Sequence, residues 1–446
     1  MTAGHDLDVS AVIDHGRLGA TRVGVFVLCA LCLIIDGFAT QAMNALAPAL
    51  MADLAMTPTM VGTVAVAGAM GLIVGVLLFS LLADKLGRRP VLIGVLALSA
   101  VGMLAASFVT SVGQLFLVRF ITGLALGGLM PGAVALVSEY WPRRVRATVV
   151  MIIWCGLIIG TFLGSTLSAI LADAYGWRFV FLSAGAAAMV VAGLMLLFLP
   201  ESVQFLVAQR KDAGRIRALL HRLDPTLPLS DQTRFVLANE PVGGVPVAHL
   251  FDAGRAGGTL LIWLAHFALL AVAYSLATWL PFALRSADFT FAAIGRAIAI
   301  LNAGGLVGML VLGWLIDRVG FARVLAPGLL VAAVAILLIA PAMAMAPLVF
   351  VVVFVCGIFV VGGQAALTAL AARYYPTAAR ATGIGWSQGI GGRISATLVP
   401  MVGGMLLAQG WSHSALFSVT AACAVLAAIS LLLIGIVVEG KSSTRL

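Results

Sequence analysis

Apolar positions in this chain fall into long uninterrupted runs, set apart by short polar segments rich in Arg, Gly and Pro. A bilayer core asks for roughly 20 apolar residues per helix. Runs of that size lie near 22–48, 59–82, 90–109, 113–138, 147–171 and 178–199, and again near 258–282, 292–316, 323–341, 346–371, 380–407 and 412–437. The pattern predicts an all-α membrane protein of twelve transmembrane helices, six on each side of a polar stretch. The longest runs predict helices that tilt or protrude into water.

The predicted organisation is an N-terminal tail (1–21), a six-helix bundle (22–199), a linker (200–257), a second six-helix bundle (258–437) and a C-terminal tail (438–446). Within the linker, ESVQFLVAQRKDAGRIRALLHRL reads as a basic helical segment lying along the cytoplasmic surface near anionic headgroups. DPTLPLSDQT and EPVGGVP then break it.

Composition agrees with the pattern. Of 446 residues 62% are hydrophobic and 10% charged, against about 45–50% and about 25% in average soluble domains. The polar, partly acidic start does not read as a signal peptide, so the first run is expected to be a retained helix. The net charge of +9 comes from basic residues in short loops, which argues for membrane topology and against nucleic-acid binding. With the N-terminus inside, 21 of the 26 Lys and Arg residues fall on cytoplasmic segments and three, Arg178, Arg285 and Arg296, outside. That bias predicts both termini in the cytoplasm of a bacterial inner membrane. Cys29, Cys32, Cys155, Cys356 and Cys423 all lie in apolar runs, so no disulfide framework is expected, and the C-x-x-C at 29–32 reads as one turn of a membrane helix.

The two halves repeat. SLLADKLGRRPVL (80–92) returns as GWLIDRVGFARVL (313–325), which pairs Asp84 with Asp317. EYWPRRVRAT (139–148) returns as RYYPTAARAT (373–382), which pairs Pro142 with Pro376 and Arg146 with Arg380. The offsets are 233 and 234, as expected of a duplicated six-helix unit forming two pseudo-symmetric bundles. The stretch Ser80 to Arg89 is similar to the loop signature G-x-L-A-D-[RK]-x-G-[RK]-[RK] of the major facilitator superfamily, with Ser80 in place of the first Gly. That resemblance spans the chain and implies the major facilitator fold. It also implies gating roles for Asp84, Arg88, Arg89, Asp317 and Arg318. A carboxylate in this loop can accept the free N–H groups of a helix start; the arginines also read as plain topology determinants.

Further stretches resemble the aromatic acid:proton symporter family. They are Asp36-Gly37-Phe38-Ala39 in the first span, RFITGLALGGLMPGAVALVSEYWPRRVRA (119–147), Thr278-Trp279-Leu280-Pro281, and ATGIGWSQGIGGRISATLVP (381–400). Ala39 replaces that family's second acid, Gly132 its Asn and Ser395 its Gly, and one extra residue separates Trp386 from Arg393. Drug antiporters fit less well, because Thr161 stands at their Pro; Gly156, Gly160 and Gly164 read as close-packing positions. Pro200-Glu201-Ser202, shared with sugar porters, is a weak signal alone.

Ionisable side chains at membrane depth cost at least about 2.5–3.5 kcal/mol and persist where they line a cavity and function. Asp36, Arg119 and Arg393 qualify, with Glu139 near the cytoplasmic end of its span, and the duplication copies none of them. Asp36, Thr40 and Asn44 form one polar stripe at i, i+4 and i+8. Asp36 reads as a proton or substrate site, or as the structural partner of an arginine; Glu139 is the second proton-coupling candidate. Arg393, with Trp386 one heptad before it, suits a planar aromatic carboxylate, a bidentate pair joined to ring stacking. Arg119 suits the same carboxylate or one of the protein's own. Tyr274, Thr278 and Gln364 are candidates to orient ring substituents, or plain interhelical bonds. His266 is a lone intramembrane histidine. Gly383, Gly385, Gly389, Gly391 and Gly392 follow no strand and do not read as a nucleotide loop.

The expected function is proton-coupled uptake of a hydroxybenzoate- or benzoate-like acid by alternating access. Another organic anion, a sugar or polyol, or efflux are the alternatives. The expected protein is a monomer, not an enzyme, with no cofactor and no metal, driven by the proton gradient. A membrane enzyme would need a catalytic constellation at depth and a sensor an added signalling domain, and the sequence offers neither.

Overall fold

A computed structural model describes residues 6–16, 19–210, 213–227, 229–230, 233–237, 247–252 and 254–439. Arg17, Lys211, Lys441 and Arg445 of the charge count lie outside the described residues, as do the tail after 439 and the Asn44 side chain.

Among the described residues, twelve helices are long and apolar enough to cross a membrane. The first six are α2 (Ala20–Asp53), α3 (Pro58–Leu86), α4 (Arg88–Ala106), α5 (Val112–Tyr140), α6 (Arg146–Tyr175) and α7 (Trp177–Phe198). The next three are α10 (Ala256–Ser286), α11 (Phe291–Val319) and α12 (Phe321–Ala342). The tenth span is α13 (Ala346–Cys356) and α14 (Gly362–Tyr374) with a π-helical stretch, Gly357–Val361, between them. The eleventh is α15 (Arg380–Trp386), a π-helical stretch Ser387–Arg393, and α16 (Ile394–Ala408); the twelfth is α17 (His413–Glu439). Large apolar side chains such as Phe162, Leu197 and Phe198 stand exposed on these helices, a surface that only lipid accommodates.

The duplication is visible in backbone detail. Gly87 ends α3 and starts α4 at φ 119°, and Gly320 does the same between α11 and α12 at φ 106°, a conformation L side chains rarely adopt. Thr57 and its counterpart Thr290 both cap the following helix through their hydroxyls. Gly176 and Gly410, 234 apart, carry positive φ at two further turns.

Contacts group the chain into two compact units. One holds Met1–Arg143, Ile153–His249 and Ala372–Gly385; the other holds Arg144–Ile152, Leu250–Ala371 and Trp386–Leu446. Inside the first unit, α2 and α6 cross closely. A Cβ on Gly37 would stand 2.1 Å from the Leu157 carbonyl oxygen, and one on Gly160 2.1 Å from that of Ile34. Gly156 and Gly164 line the same crossing, so the three glycines of this span pack helices as expected. The corresponding crossing in the second unit sets Gly391 and Gly392 against Trp263 and Leu270 of α10.

The linker departs from expectation. Its first segment forms two helices, α8 (Val203–Ala208) and α9 (Ala213–Leu223). Every residue of α8 is buried, so this part does not lie on the membrane surface. Ser202 caps it, and Gln204 is drawn into the polar cluster described below. Only α9 is amphipathic, with Ile216, Leu220 and Leu223 turned inward. A later linker strand, β2 (Arg234–Val236), pairs in parallel with β1 (Asp6–Asp8). Arg22 donates to the Ile13 and Gly16 carbonyls at the end of α1 (Val9–His15). The N-terminal segment is thereby fastened to the first unit.

At the far end of α2, Asp53 accepts bonds from Arg178 (2.5 Å) and the Trp177 indole (3.1 Å). The Arg178 bond, then the Trp177 bond, hold this carboxyl below its ordinary range. A depressed carboxyl stabilises the fold above its unfolded value, and the contribution is lost as pH falls through the lower folded value. Asp53→Asn is therefore expected to lower the melting temperature at neutral pH and to flatten its decline in acid, read by thermal unfolding in detergent. Gly160→Ala is expected to cost about 1–3 kcal/mol by overpacking. Gly24→Ala, where nothing lies within 4 Å, should be neutral or better.

Candidate functional site

The densest polar cluster lies in the first unit, where α3, α4, α5 and α8 meet residues 377–382. Asp84, at the end of α3, accepts the backbone N–H of Ala381 (3.2 Å) and of Thr382 (2.6 Å) in the first turn of α15. It also pairs with Arg88 at 2.8 Å, both side chains fully buried. Arg88 reaches Glu139 at 3.1 Å, and Arg380 reaches the same Glu139 oxygen at 3.0 Å. Arg88 donates to the Thr377 carbonyl as well, and its guanidinium lies 4.8 Å from the Phe205 ring. Gln204 accepts from Arg380 and Thr377, each at 3.1 Å.

Two carboxylates and two guanidiniums thus balance inside the protein. Such a cluster endures burial because each charge is bonded, and it fails badly when one partner goes. One atom stands apart. Glu139 Oε2 is buried with no hydrogen-bond partner. Glu201 completes the surroundings, accepting the N–H groups of Arg88 (3.0 Å), Arg89 (3.2 Å) and Ser202 (2.9 Å). The start of α4 is therefore capped by Glu201, 113 residues away, while Asp84 caps α15. Burial raises the Glu201 carboxyl above its usual range, against the three amides that favour the anion.

The second unit repeats half of this. Asp317 accepts the N–H of Ala147 (3.1 Å) and Thr148 (2.8 Å) and the Thr148 hydroxyl (2.6 Å), at the first turn of α6. Phe321 stands where Arg88 stands in the first copy. Arg318 is exposed and lies 4.0 Å over the Trp314 ring. The pairing of Asp84 with Asp317 thus extends to their carboxylate-to-helix contacts, while the arginine network is found in the first copy alone among the described residues. Arg89 donates to the Leu196 carbonyl at 2.6 Å.

At membrane depth in the first unit, Asp36 is buried and engaged, and Thr40, one turn on, is exposed. Arg119 lies about 10 Å along α5 from its start, at 1.5 Å per residue. Its guanidinium packs over Gly68, where a Cβ would stand 3.6 Å from it. Nε is buried, and among the described residues Arg119 has no ion-pair or hydrogen-bond partner.

In the second unit, Arg393 closes the π-helical stretch of the eleventh span. Bonds of the i→i+5 type turn each residue by less than the 100° of an α-helix. Seven residues then no longer close two turns, so the same-face relation of Trp386 and Arg393 expected from a heptad does not hold. The extra residue noticed between them falls in this stretch. Trp386 lies 6.5 Å from Trp263, which meets Phe251 at 5.9 Å, so its ring already has aromatic neighbours. Tyr274, Thr278 and Gln364 are part-buried. Thr368 accepts from Gln388 at 2.9 Å, which ties the tenth span to the eleventh. His266 is buried, its Nδ1 facing the Ile262 carbonyl at 3.0 Å. The glycines at 383, 385, 391 and 392 each abut a neighbouring side chain or backbone, which is packing rather than a phosphate cradle.

Glu201, Gln204, Arg380, Thr148 and Thr382 were not among the expected site residues. Arg380 had a signal in its repeat with Arg146, and Glu201 in the weak Pro-Glu-Ser match. The two threonines close the same repeat, as Thr148 and Thr382, and Gln204 had no signal.

Comparison with known proteins is consistent throughout. The family model described as Major Facilitator Superfamily matches residues 29–387 and 262–445. The 4-hydroxybenzoate transporter PcaK of Pseudomonas aeruginosa is 34% identical over 432 residues, covering 97% of this chain and 96% of that protein. The gallate transporter of Pseudomonas putida is 34% identical, covering 96% and 94%. The benzoate transport protein of Acinetobacter baylyi is 30% identical, covering 96% and 93%. Among solved structures, the proton:xylose symporter XylE bound to 6-bromo-6-deoxy-D-glucose superposes with a TM-score of 0.71 at 17% identity, covering 92% of this chain and 95% of that one. The human organic anion transporter TETRAN gives 0.72 at 17% identity, covering 92% and 99%. At those identities the likeness is one of fold. With twelve membrane-crossing helices, a duplicated latch loop and relatives aligned end to end, the chain is an integral membrane transporter, not an enzyme, and belongs to the Major Facilitator Superfamily.

Proposed function

We propose that this transporter carries an aromatic carboxylate into a bacterial cell across the inner membrane, together with protons, by alternating access. The observation that carries the anion part is Arg119. A guanidinium within a membrane span and without a protein counter-charge among the described residues is costly unless an anion meets it. Aromatic acids are the class named for relatives 30–34% identical over nearly the whole chain. Arg393 supplies the second cation in this reading, and Tyr274, Thr278, Gln364 and Trp386 bound the ring.

Proton coupling fits the energetics. Moving one negative charge inward against an inside-negative potential costs about 2.3 kcal/mol per 100 mV. One co-transported proton cancels that cost and adds the pH gradient. Asp36 takes the proton at depth. Glu139 acts at the latch: a proton on its bare Oε2 weakens its hold on Arg88 and Arg380 and loosens α15 from Asp84. The latch contacts lie at helix ends that the charge bias assigns to the cytoplasm, so their release opens the inward path.

The deciding experiment is substrate-dependent thermal stabilisation across benzoate, 4-hydroxybenzoate, aliphatic acids and sugars, followed by uptake into proteoliposomes under an imposed pH gradient. Stabilisation by sugars or aliphatic acids alone overturns the aromatic reading. Arg119→Gln is expected to weaken aromatic-acid binding at least about tenfold, the loss of one charge-assisted contact. Asp36→Asn should abolish gradient-driven accumulation and keep exchange of substrate across the membrane; intact accumulation sinks the proton role. Asp84→Ala is expected to cost about 3–5 kcal/mol, since it leaves Arg88 and Arg380 buried with Glu139 as their one remaining carboxylate, and Asp317→Ala, which frees only amides and a hydroxyl, about 1–3 kcal/mol.

A further inference from the structure

A cavity of about 350 Å³ opens in the first unit, away from the membrane-depth residues. Leu86, Pro90 and Phe205 form its apolar side, and Arg89, Arg215 and Glu201 its polar side. It therefore joins the ends of α3 and α4 to the segment after α7 and to α9. Arg89 spends one guanidinium nitrogen on the Leu196 carbonyl, and its Nε is buried without a partner. Arg215 is exposed on the first turns of α9, and among the described residues no bond or ion pair engages it. Glu201 does not cancel these cations. Its Oε1 already takes three backbone N–H groups, and Arg88 stands beside it. The cavity keeps an excess of positive charge with donors unspent.

Its height in the fold is also informative. Leu196, Leu197 and Phe198, the last residues of α7, are strongly exposed and apolar, as is Leu86 at the cavity's edge. Immediately beyond them come Glu201 and Ser202, and past the buried α8 the basic α9. The cavity thus sits where lipid-facing surface gives way to charged segments, the level of phospholipid headgroups. α9 adds a basic outer face, Arg215, His221 and Arg222, over its buried Ile216 and Leu220, the arrangement of an interfacial helix drawn to anionic lipid.

We propose that this cavity binds the phosphate of an anionic phospholipid, held between Arg89 and Arg215, with the acyl chains along Leu86 and the exposed end of α7. The bound phosphate bridges α9 to the start of α4, the helix that Glu201 caps and from which Arg88 enters the latch. Lipid composition then acts on the cluster through its nearest capped helix.

The test uses the full-length protein in detergent, with phosphatidylglycerol, phosphatidylethanolamine, phosphatidylcholine or inorganic phosphate added, read by thermal unfolding and by native mass spectrometry. Phosphatidylglycerol is expected to raise the melting temperature and to give a retained one-lipid species. Arg215→Gln, an exposed substitution, should reduce that species about tenfold, the loss of one charge-assisted contact. Arg222→Gln, on the same helix but off the cavity, should leave it unchanged. Equal effects of the two variants mean diffuse adhesion and overturn the site. Equal stabilisation by inorganic phosphate overturns the lipid assignment, and equal stabilisation by phosphatidylethanolamine or phosphatidylcholine overturns the preference for an anionic head.

Discussion

A carboxylate set against the first turn of a helix is the contact from which the polar architecture of this protein is built. Asp84 takes the free amides at the start of α15, Asp317 those at the start of α6, and Glu201 those at the start of α4. In each case the unsatisfied N–H groups of a helix start meet the negative charge they favour. The first two contacts join the end of a helix in one half of the sequence to the start of a helix in the other. Everything else in the latch, from Arg88 to Gln204, is arranged around the charge these acids bring indoors.

Packing follows a second constraint. Helices in lipid gain little from hiding apolar surface from one another, so they associate by close contact. Glycines supply it here, on α6 against α2 in one unit and on the eleventh span against α10 in the other. Bulk at those places meets backbone or a packed side chain within about 3 Å. The same residues that leave room for the crossings make them intolerant of change.

Much of this was legible in the sequence because it is local. Twelve apolar runs need only counting, and the paired loops around Asp84 and Asp317 show the duplication without any contact being known. The glycine spacing of α6 announces a crossing. What stayed hidden is long-range. Nothing near Glu201 says that it caps a helix 113 residues earlier, and the apolar text of α8 reads equally as surface helix or buried plug. The π-helical stretch cost the pairing of Trp386 with Arg393, because a heptad rule presumes a regular helix. The repeat does show Phe321 at the place of Arg88, but that Arg88 joins Glu139 and Arg380 in a network on one side only is seen in the contacts alone.

The π-helical stretch of the eleventh span also has a mechanical meaning. The boundary between the two compact units crosses this span at Gly385 and Trp386, and the i→i+5 stretch begins at Ser387. The fifth span crosses the same boundary at Ile152 and Ile153, in regular α-helix. The tenth span crosses it at Ala371 and Ala372, also in regular α-helix. Of these three spans the eleventh alone has the wider, looser i→i+5 winding directly beside the crossing, so its backbone is least held there by regular i→i+4 bonds. Arg393 is the last residue of that stretch, so its direction is set by the looser winding and not by the regular helix on either side.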